Sequence, residues 1–316
     1  MLLGIFPAPQ ALAGEGGSSV PNPGADLWRA VRQRDAPAVG MTQARGVESG
    51  VFINTEGEWW RRVRMERVVP YGAAFLGLNL VLIILWYLIR GRIRIDGGRS
   101  GRLVVRFDLA QRLAHWFLAA LVLLLAFTGL VLLYGRFVLV PLFGAAAFGV
   151  IASASKEAHN LFGPILPFAV IAVFLLFVRG NGFRLLDLMW LVRGGGMMGV
   201  HASAERYNAG EKLWFRTIVL LGMALSVSGL ILDFPIFGQP RLWMEWSLIV
   251  HGVVAVLLVA GLLGHIYIAT LGMEGAIESI TDGRVDANWA KEHHDLWYEE
   301  VKAQEEEQSP DDRQPA

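Results

Sequence analysis

The apolar and polar positions of this chain fall into runs too long for a soluble core. A bilayer interior about 30 Å thick is crossed by roughly 20 helical residues. Four charge-free runs reach that length: Tyr71 to Ile89, Leu113 to Gly135, Ala158 to Val178 and Trp246 to Met273. A fifth, Leu213 to Leu232, carries only Arg216 near one end, where a long side chain can reach the interface. Phe137 to Ser155 is also uncharged, but it contains Pro141, Gly144 and Gly149 and is separated from the preceding run only by Arg136. It reads as a connecting segment at the interface. The pattern predicts an all-α integral membrane protein with a four-helix core over 91–273, its spans near 113–135, 158–178, 213–232 and 246–273. An additional N-terminal transmembrane helix is expected over 70–90, and a further segment over 274–316.

Charge along the loops gives an orientation, because Lys and Arg concentrate in short cytoplasmic loops. Seven Arg lie between Arg90 and Arg112, and six Lys or Arg between Arg179 and Arg216, against Arg136 and Lys156 in one opposite loop and Arg241 in the other. This places the C-terminus inside and residues 1–69 outside. Arg61, Arg62, Arg64 and Arg67 oppose the rule from the outer side of the first span. Residues 14–57, rich in Gly, Pro, Ser and Ala, read as a flexible extracytoplasmic tail. Before them, Ala11-Leu12-Ala13 has the small-x-small form of a signal cleavage site. Residues 1–13 lack a basic leading region and contain Pro7 and Pro9, so a signal remnant and an ordinary leader are both open readings.

Composition narrows the chemistry. Among 316 residues 54% are apolar, the 28 Lys and Arg balance the 28 Asp and Glu, and mean hydropathy is +0.45. Nothing in that balance suggests nucleic acid as a partner. Cysteine is absent, which excludes thiolate-held iron–sulfur clusters, covalently attached haem, disulfides and cysteine nucleophiles.

Four of the seven histidines, His115, His159, His251 and His265, lie inside the spans. An ionisable residue at membrane depth is a functional candidate, since an unsatisfied imidazole in hydrocarbon is costly. His251 and His265 share one span; 14 residues correspond to about 21 Å of rise and a net rotation of about −40°, so they face nearly one side at opposite depths. His159 matches His251 in depth near the outer face, and His115 matches His265 near the inner face. Two imidazoles from different helices at one depth are what axial ligation of a b-type haem requires. Zinc or a proton relay would want carboxylates nearby, and apart from Glu157 at a boundary the span interiors have none. Two b haems held in the four-helix bundle are the economical reading. Gly129, Gly163, Gly229 and Gly252 would let a macrocycle approach the backbone. A weak internal echo supports helix pairing: Arg112 precedes Thr128-Gly129-Leu130 by the interval at which Lys212 precedes Ser228-Gly229-Leu230, with Phe215 standing where His115 stands.

The combination of Arg112-Leu-Ala-His115-Trp116, Thr128-Gly129-Leu130, Ala158-His159-Asn160-Leu-Phe-Gly163, Tyr207-Asn208-Ala209-Gly210-Glu-Lys212, Leu248-Ile-Val-His251-Gly, Gly264-His265-Ile-Tyr267 and Asp286-Ala-Asn-Trp289 through Trp297-Tyr298 resembles one family over about 90–300. It is similar to the gamma subunit, cytochrome b556, of membrane-bound respiratory formate dehydrogenase, in an extended form with one extra helix. The resemblance implies haem ligands at His159 and His251 for the outer haem and at His115 and His265 for the inner one. It also implies a quinone site at Asn208 and Gly210 beside His265, taking menaquinone or ubiquinone. The partners implied are an iron–sulfur beta subunit and a molybdenum or tungsten catalytic alpha subunit, on the bacterial inner membrane. From the residues alone, Asn208 reads first as an ordinary helix N-cap, a preference that the resemblance reverses without excluding a dual role. His293 and His294, among charged residues, are expected to be solvated or against a partner, His201 exposed, and the acidic tail from Glu305 onward disordered. A nickel–iron hydrogenase cytochrome b is the rival reading; a haem-free anchor or transporter leaves the four histidines unexplained.

Overall fold

The computed structural model describes residues 58–196 and 202–308. The leader and tail read over 1–57, His201 and the last eight residues lie outside them.

The first helix starts earlier than its apolar run. α1 (Trp59–Arg90) opens as Trp59–Val63, passes through a π turn at Arg64–Val68 and continues as Val69–Arg90, so 58–69 is not a flexible segment. Local partners hold this basic stretch. Arg64 donates to Leu132 O at 3.3 Å, Arg67 to the Tyr71 hydroxyl at 3.2 Å, and the Trp59 indole N–H to the buried Glu245 carboxylate at 2.9 Å. The more buried positions of Val69–Arg90, namely Val69, Gly72, Leu76, Asn79, Ile83 and Trp86, recur every three or four residues, which makes one helical face. Gly72 sets how closely that face approaches: a Cβ there would fall 2.6 Å from the Tyr134 hydroxyl and 3.0 Å from Val256.

α2 (Leu109–Phe162) holds 54 residues. A straight helix of that length would run about 80 Å, more than twice the hydrocarbon thickness. It breaks at Gly144, whose φ of +82° suits a residue without a Cβ. The connecting segment 137–155 is therefore helix on both sides of one break, folded back so that a Cβ at Gly135 would lie 2.9 Å from Phe148. The second limb passes through a 3-10 turn at Gly163–Ile165 into α3 (Leu166–Phe177). The short α4 (Leu185–Val192) precedes α5 (Ala209–Asp233), a turn at Pro235–Phe237 and α6 (Arg241–Tyr267), which ends in a π turn at Ile268–Gly272. Leu118, Leu121, Val122, Val170, Ile218, Leu225 and Leu258 form the bundle core. Small residues permit close packing where hydrocarbon supplies no hydrophobic drive: at Gly222 a Cβ would meet Val170 at 2.9 Å.

The end of the bundle opposite the Gly144 hairpin carries a folded cap. β1 (Leu103–Val105) pairs antiparallel with β2 (Arg284–Asp286), Val104 facing Val285, and Ile93 bridges Met273. With α7 (Glu278–Thr281), α8 (Ala287–His293) and α9 (Asp295–Gln308) these strands bury Ile95, Val104, Val285, Trp289 and Trp297. Asp286 is the latch, accepting N–H bonds from Ser100 at 3.1 Å, Gly101 at 3.0 Å and Asn288 at 2.9 Å. The tail from Glu305 departs from the disordered reading as far as Gln308, since it continues α9.

Candidate functional site

The four span histidines meet in the two pairs that depth alone suggests. His159, from the second limb of α2, and His251, from α6, have ring centroids 6.0 Å apart. His115, from the first limb, and His265, on α6, have theirs 6.2 Å apart. Two imidazole nitrogens bound at about 2.0 Å to opposite sides of one metal place the ring centres about 6 Å apart, so both pairs have the span that axial ligation of a haem iron needs.

Hydrogen bonding at the hairpin-end pair also sets the right tautomer. The Thr128 hydroxyl donates to Leu124 O at 2.9 Å and stands 2.9 Å from His159 Nδ1; the Ser228 hydroxyl donates to Ala224 O at 2.7 Å and stands 3.0 Å from His251 Nδ1. A hydroxyl has one proton, and once the carbonyl takes it the oxygen accepts from Nδ1–H. That leaves Nε2 of both rings with its lone pair, as metal ligation demands. Gly129 and Gly229 make room for the rings: added Cβ atoms would lie 3.3 Å from His159 Cε1 and 3.2 Å from His251 Cε1. Of the other two glycines expected to admit a macrocycle, Gly252 faces Val68 of α1, and a Cβ at Gly163 would meet nothing within 4 Å. At the capped-end pair the indole of Trp214 stacks on His265, 4.8 Å between centroids and 13° between planes, while His115 Nδ1 is buried without a partner among the described residues.

The weak sequence echo is a structural repeat at a spacing of 100 residues. Asp108 and Asn208 each build a reciprocal capping box, with Gln111 and Glu211. Phe107 and Tyr207 stack on one another at 6.1 Å, and Arg106 and Arg206 each donate to the other's carbonyl, at 3.0 and 2.7 Å. Thr128-Gly129 and Ser228-Gly229 complete the match. The His159–His251 pair joins equivalent positions of the two halves, 92 residues apart. By the same offsets the counterparts of His115 and His265 are Phe215 and Val173. Neither can ligate, and both sides of that second position are filled, Val173 in the bundle core and Phe215 stacked on Phe174 at 6.1 Å.

Asn208 is an N-cap in fact: its Oδ1 accepts from Glu211 N at 3.0 Å, and Glu211 Oε2 accepts from Asn208 N at 3.1 Å. The cap uses the amide oxygen and leaves the Nδ2 donors to other work. Gly210, in the first turn of α5, lies one helical turn before Trp214 and so links the Asn208 turn to His265. Lys212, wholly buried, is held by Asp187 at 2.9 Å and Glu205 at 3.2 Å.

His294 corrects the sequence reading. It is completely buried instead of solvated, with Nδ1–H donating to Glu205 O at 2.7 Å and Nε2 accepting from Arg106 Nη2 at 2.9 Å. Arg106 also holds Glu211 at 2.9 Å, so the cap supports the Asn208 turn through His294, Arg106 and Glu211. No local signal marks His294, because its partners come from about 190 and 90 residues earlier. Burial first, then the Arg106 charge and that of His293, push its pKa well below the ordinary 6.5, against the opposing influence of the Glu205 carbonyl and the Asp295 charge, with the Glu211 carboxylate 3.8 Å away. The sign follows from linkage: the unfolded chain binds the proton that the folded one refuses, so stability is full above pH 6.5 and falls by up to about 1.4 kcal/mol per pH unit below it. Limited proteolysis of the cap should accelerate between pH 6.5 and 5.5 in the native chain, and this acceleration should be weaker in His294→Gln.

Comparison with known proteins agrees with this geometry. Residues 106–283 match the family model described as prokaryotic cytochrome b561, a segment that includes all four paired histidines. The chain is 29% identical over 213 residues to the nitrate-inducible formate dehydrogenase cytochrome b556(Fdn) subunit of Escherichia coli K12, covering 65% of this chain and 95% of that one. It is 29% identical over 204 residues to the formate dehydrogenase cytochrome b556(fdo) subunit of the same organism, covering 63% and 93%. To the formate dehydrogenase cytochrome b556 subunit of Haemophilus influenzae it is 30% identical over 209 residues, covering 62% and 83%.

Proposed function

The chain belongs to the prokaryotic cytochrome b561 family and is a multi-pass membrane cytochrome b subunit of formate dehydrogenase, carrying b-type haem in a complex with other subunits, and from that premise we propose where its parts act. His159 and His251 hold an outer haem, and His115 and His265 an inner haem. When bound, the two haems carry electrons one at a time across the membrane toward a quinone, menaquinone or ubiquinone. The observation that carries this reading is the pair of 6.0 and 6.2 Å imidazole spacings at two depths. Thr128 and Ser228 keep the outer rings in the ligating tautomer; Trp214 fixes the plane of His265.

Asn208 and Gly210 form the quinone site beside His265. The Nδ2 of Asn208, without a partner among the described residues, is the donor suited to a quinone carbonyl, and Glu211 and Arg106 hold that turn in place. The partners are an iron–sulfur beta subunit, which delivers electrons at the outer side, and a molybdenum or tungsten alpha subunit that oxidises formate. The setting is the bacterial inner membrane, N-terminus outside and C-terminus inside, which the Arg-rich 90–112 and 179–216 loops support.

Pyridine haemochrome analysis of the purified subunit should give two b haems per chain; one or none in fully loaded protein would remove the paired-ligand reading. Metal analysis of the intact complex should find molybdenum or tungsten, with nickel pointing to a hydrogenase partner. An alkaline-phosphatase fusion at residue 195 should be inactive, and activity there would reverse the orientation.

A further inference from the structure

α4 is a helix of eight residues with two unlike faces. Leu185, Leu188, Met189, Leu191 and Val192 are exposed, Leu185 by 76% and Val192 by 81%. Asp187, on the opposite face, is 3% exposed and pinned to the buried Lys212 ammonium in the first turn of α5. An apolar face of this size, on a helix too short to span and docked by one buried ion pair, is suited to lie in the membrane surface. Trp190 follows Asp187 by three residues and therefore shares its inward face.

The inward indole lands on the Asn208 turn. A Cβ at Gly210 would sit 3.2 Å from Trp190 Cη2, and one at Gly195 only 2.3 Å from the same atom, so the indole packs closely against both bare glycines. Gly195 adopts φ +62°, which independently favours a residue without a Cβ. Trp190 thus lies against the first turn of α5, one helical turn before Trp214, which stacks on His265. A flat, lipid-soluble ring arriving from the bilayer meets the apolar face of α4, then an indole, then the Asn208 amide.

We propose that Trp190 forms a wall of the quinone site, stacking on the quinone ring, and that the apolar face of α4 is the approach from the membrane. The proposal rests on the reading of Asn208 and Gly210 as the quinone site. Aromatic stacking adds to simple area burial, whereas a tryptophan that merely anchors α4 at the interface would leave quinone affinity alone.

Photolabelling the native complex with an azido-ubiquinone tests the proposal without a variant. Tryptic cleavage after Arg184 and Arg193 releases 185–193, and cleavage after Arg206 and Lys212 releases 207–212. The expected result is labelling of 185–193 that excess decylubiquinone suppresses. Label on 207–212 but not on 185–193 overturns the role of Trp190 and leaves the quinone site standing; label on neither overturns both. In parallel, Trp190→Leu should raise the KM for decylubiquinone about threefold to tenfold with kcat changed less than twofold, and Trp190→Phe should restore most of the affinity. An unchanged KM in the leucine variant, with haem content intact, also overturns the proposal.

Discussion

His159→Ala should reduce the haem content of the subunit from two to one and lower formate-dependent quinone reduction by about 100-fold or more, since removing a ligand exceeds the 10- to 100-fold cost typical of removing a ligand's supporting partner. The side chain lost is the one that faces His251 at 6.0 Å, and its neighbours cannot substitute: Gly129 has no side chain and Thr128 keeps its bond to Leu124 O. Thr128→Val provides the graded comparison. It retains the imidazole and removes the hydroxyl that accepts from Nδ1–H and donates to Leu124 O, so two haems should remain while the midpoint potential of one of them moves. The measurement is haem stoichiometry with a redox titration of each variant. Two haems of native potential in His159→Ala would dissolve the pairing with His251.

Asn208→Ser should slow quinone reduction about tenfold while the two-haem spectrum is kept. Serine is as good an N-cap as asparagine, so the reciprocal bond with Glu211 and the start of α5 survive. What disappears is the amide Nδ2 donor, and one hydrogen bond to a ligand is worth about 1 kcal/mol, more when the site is closed to water. Formate should then still reduce both haems in the intact complex, and their reoxidation by quinone should be the slow step. Asn208→Leu removes cap and donor together, and comparing the two substitutions apportions the loss between them. Undiminished quinone reduction in Asn208→Ser would make the turn a structural cap and move the quinone elsewhere.

Depth is what made the histidine pairs legible. Helix rise is fixed by backbone geometry, so counting residues from each flank puts His159 level with His251 and His115 level with His265 before any packing is known. The repeat of Thr128-Gly129 at Ser228-Gly229 was visible for the same reason, as a spacing along one chain. What escaped depends on partners distant in sequence. The sheet joining 103–105 to 284–286 has strands of three residues, too short for an alternating pattern to declare itself, and His294 is buried by Arg106 and the Glu205 carbonyl. The segment 137–155 was legible only in part. Proline and glycines marked a connection correctly, but a single residue, Gly144, turns the chain and the remainder stays helical. Trp190 had no sequence signal, since an indole in an apolar octapeptide looks like any interfacial tryptophan.

The near-repeat of the two halves has a consequence for assembly. In a fully two-fold molecule the Asn208, Gly210, Trp214 and His265 arrangement would occur twice; its image falls on Asp108, Ala110, Ala114 and Val173, none of which can do the same work. On the proposed reading of the Asn208 turn as the quinone site, the acceptor would arrive beside α4 and the start of α5, and the equivalent flank at the start of α2 would not serve it. A neighbouring subunit, or a second copy of the complex, could then cover that flank without throttling turnover, whereas the same contact across α4 would shut the enzyme off from its pool of acceptor.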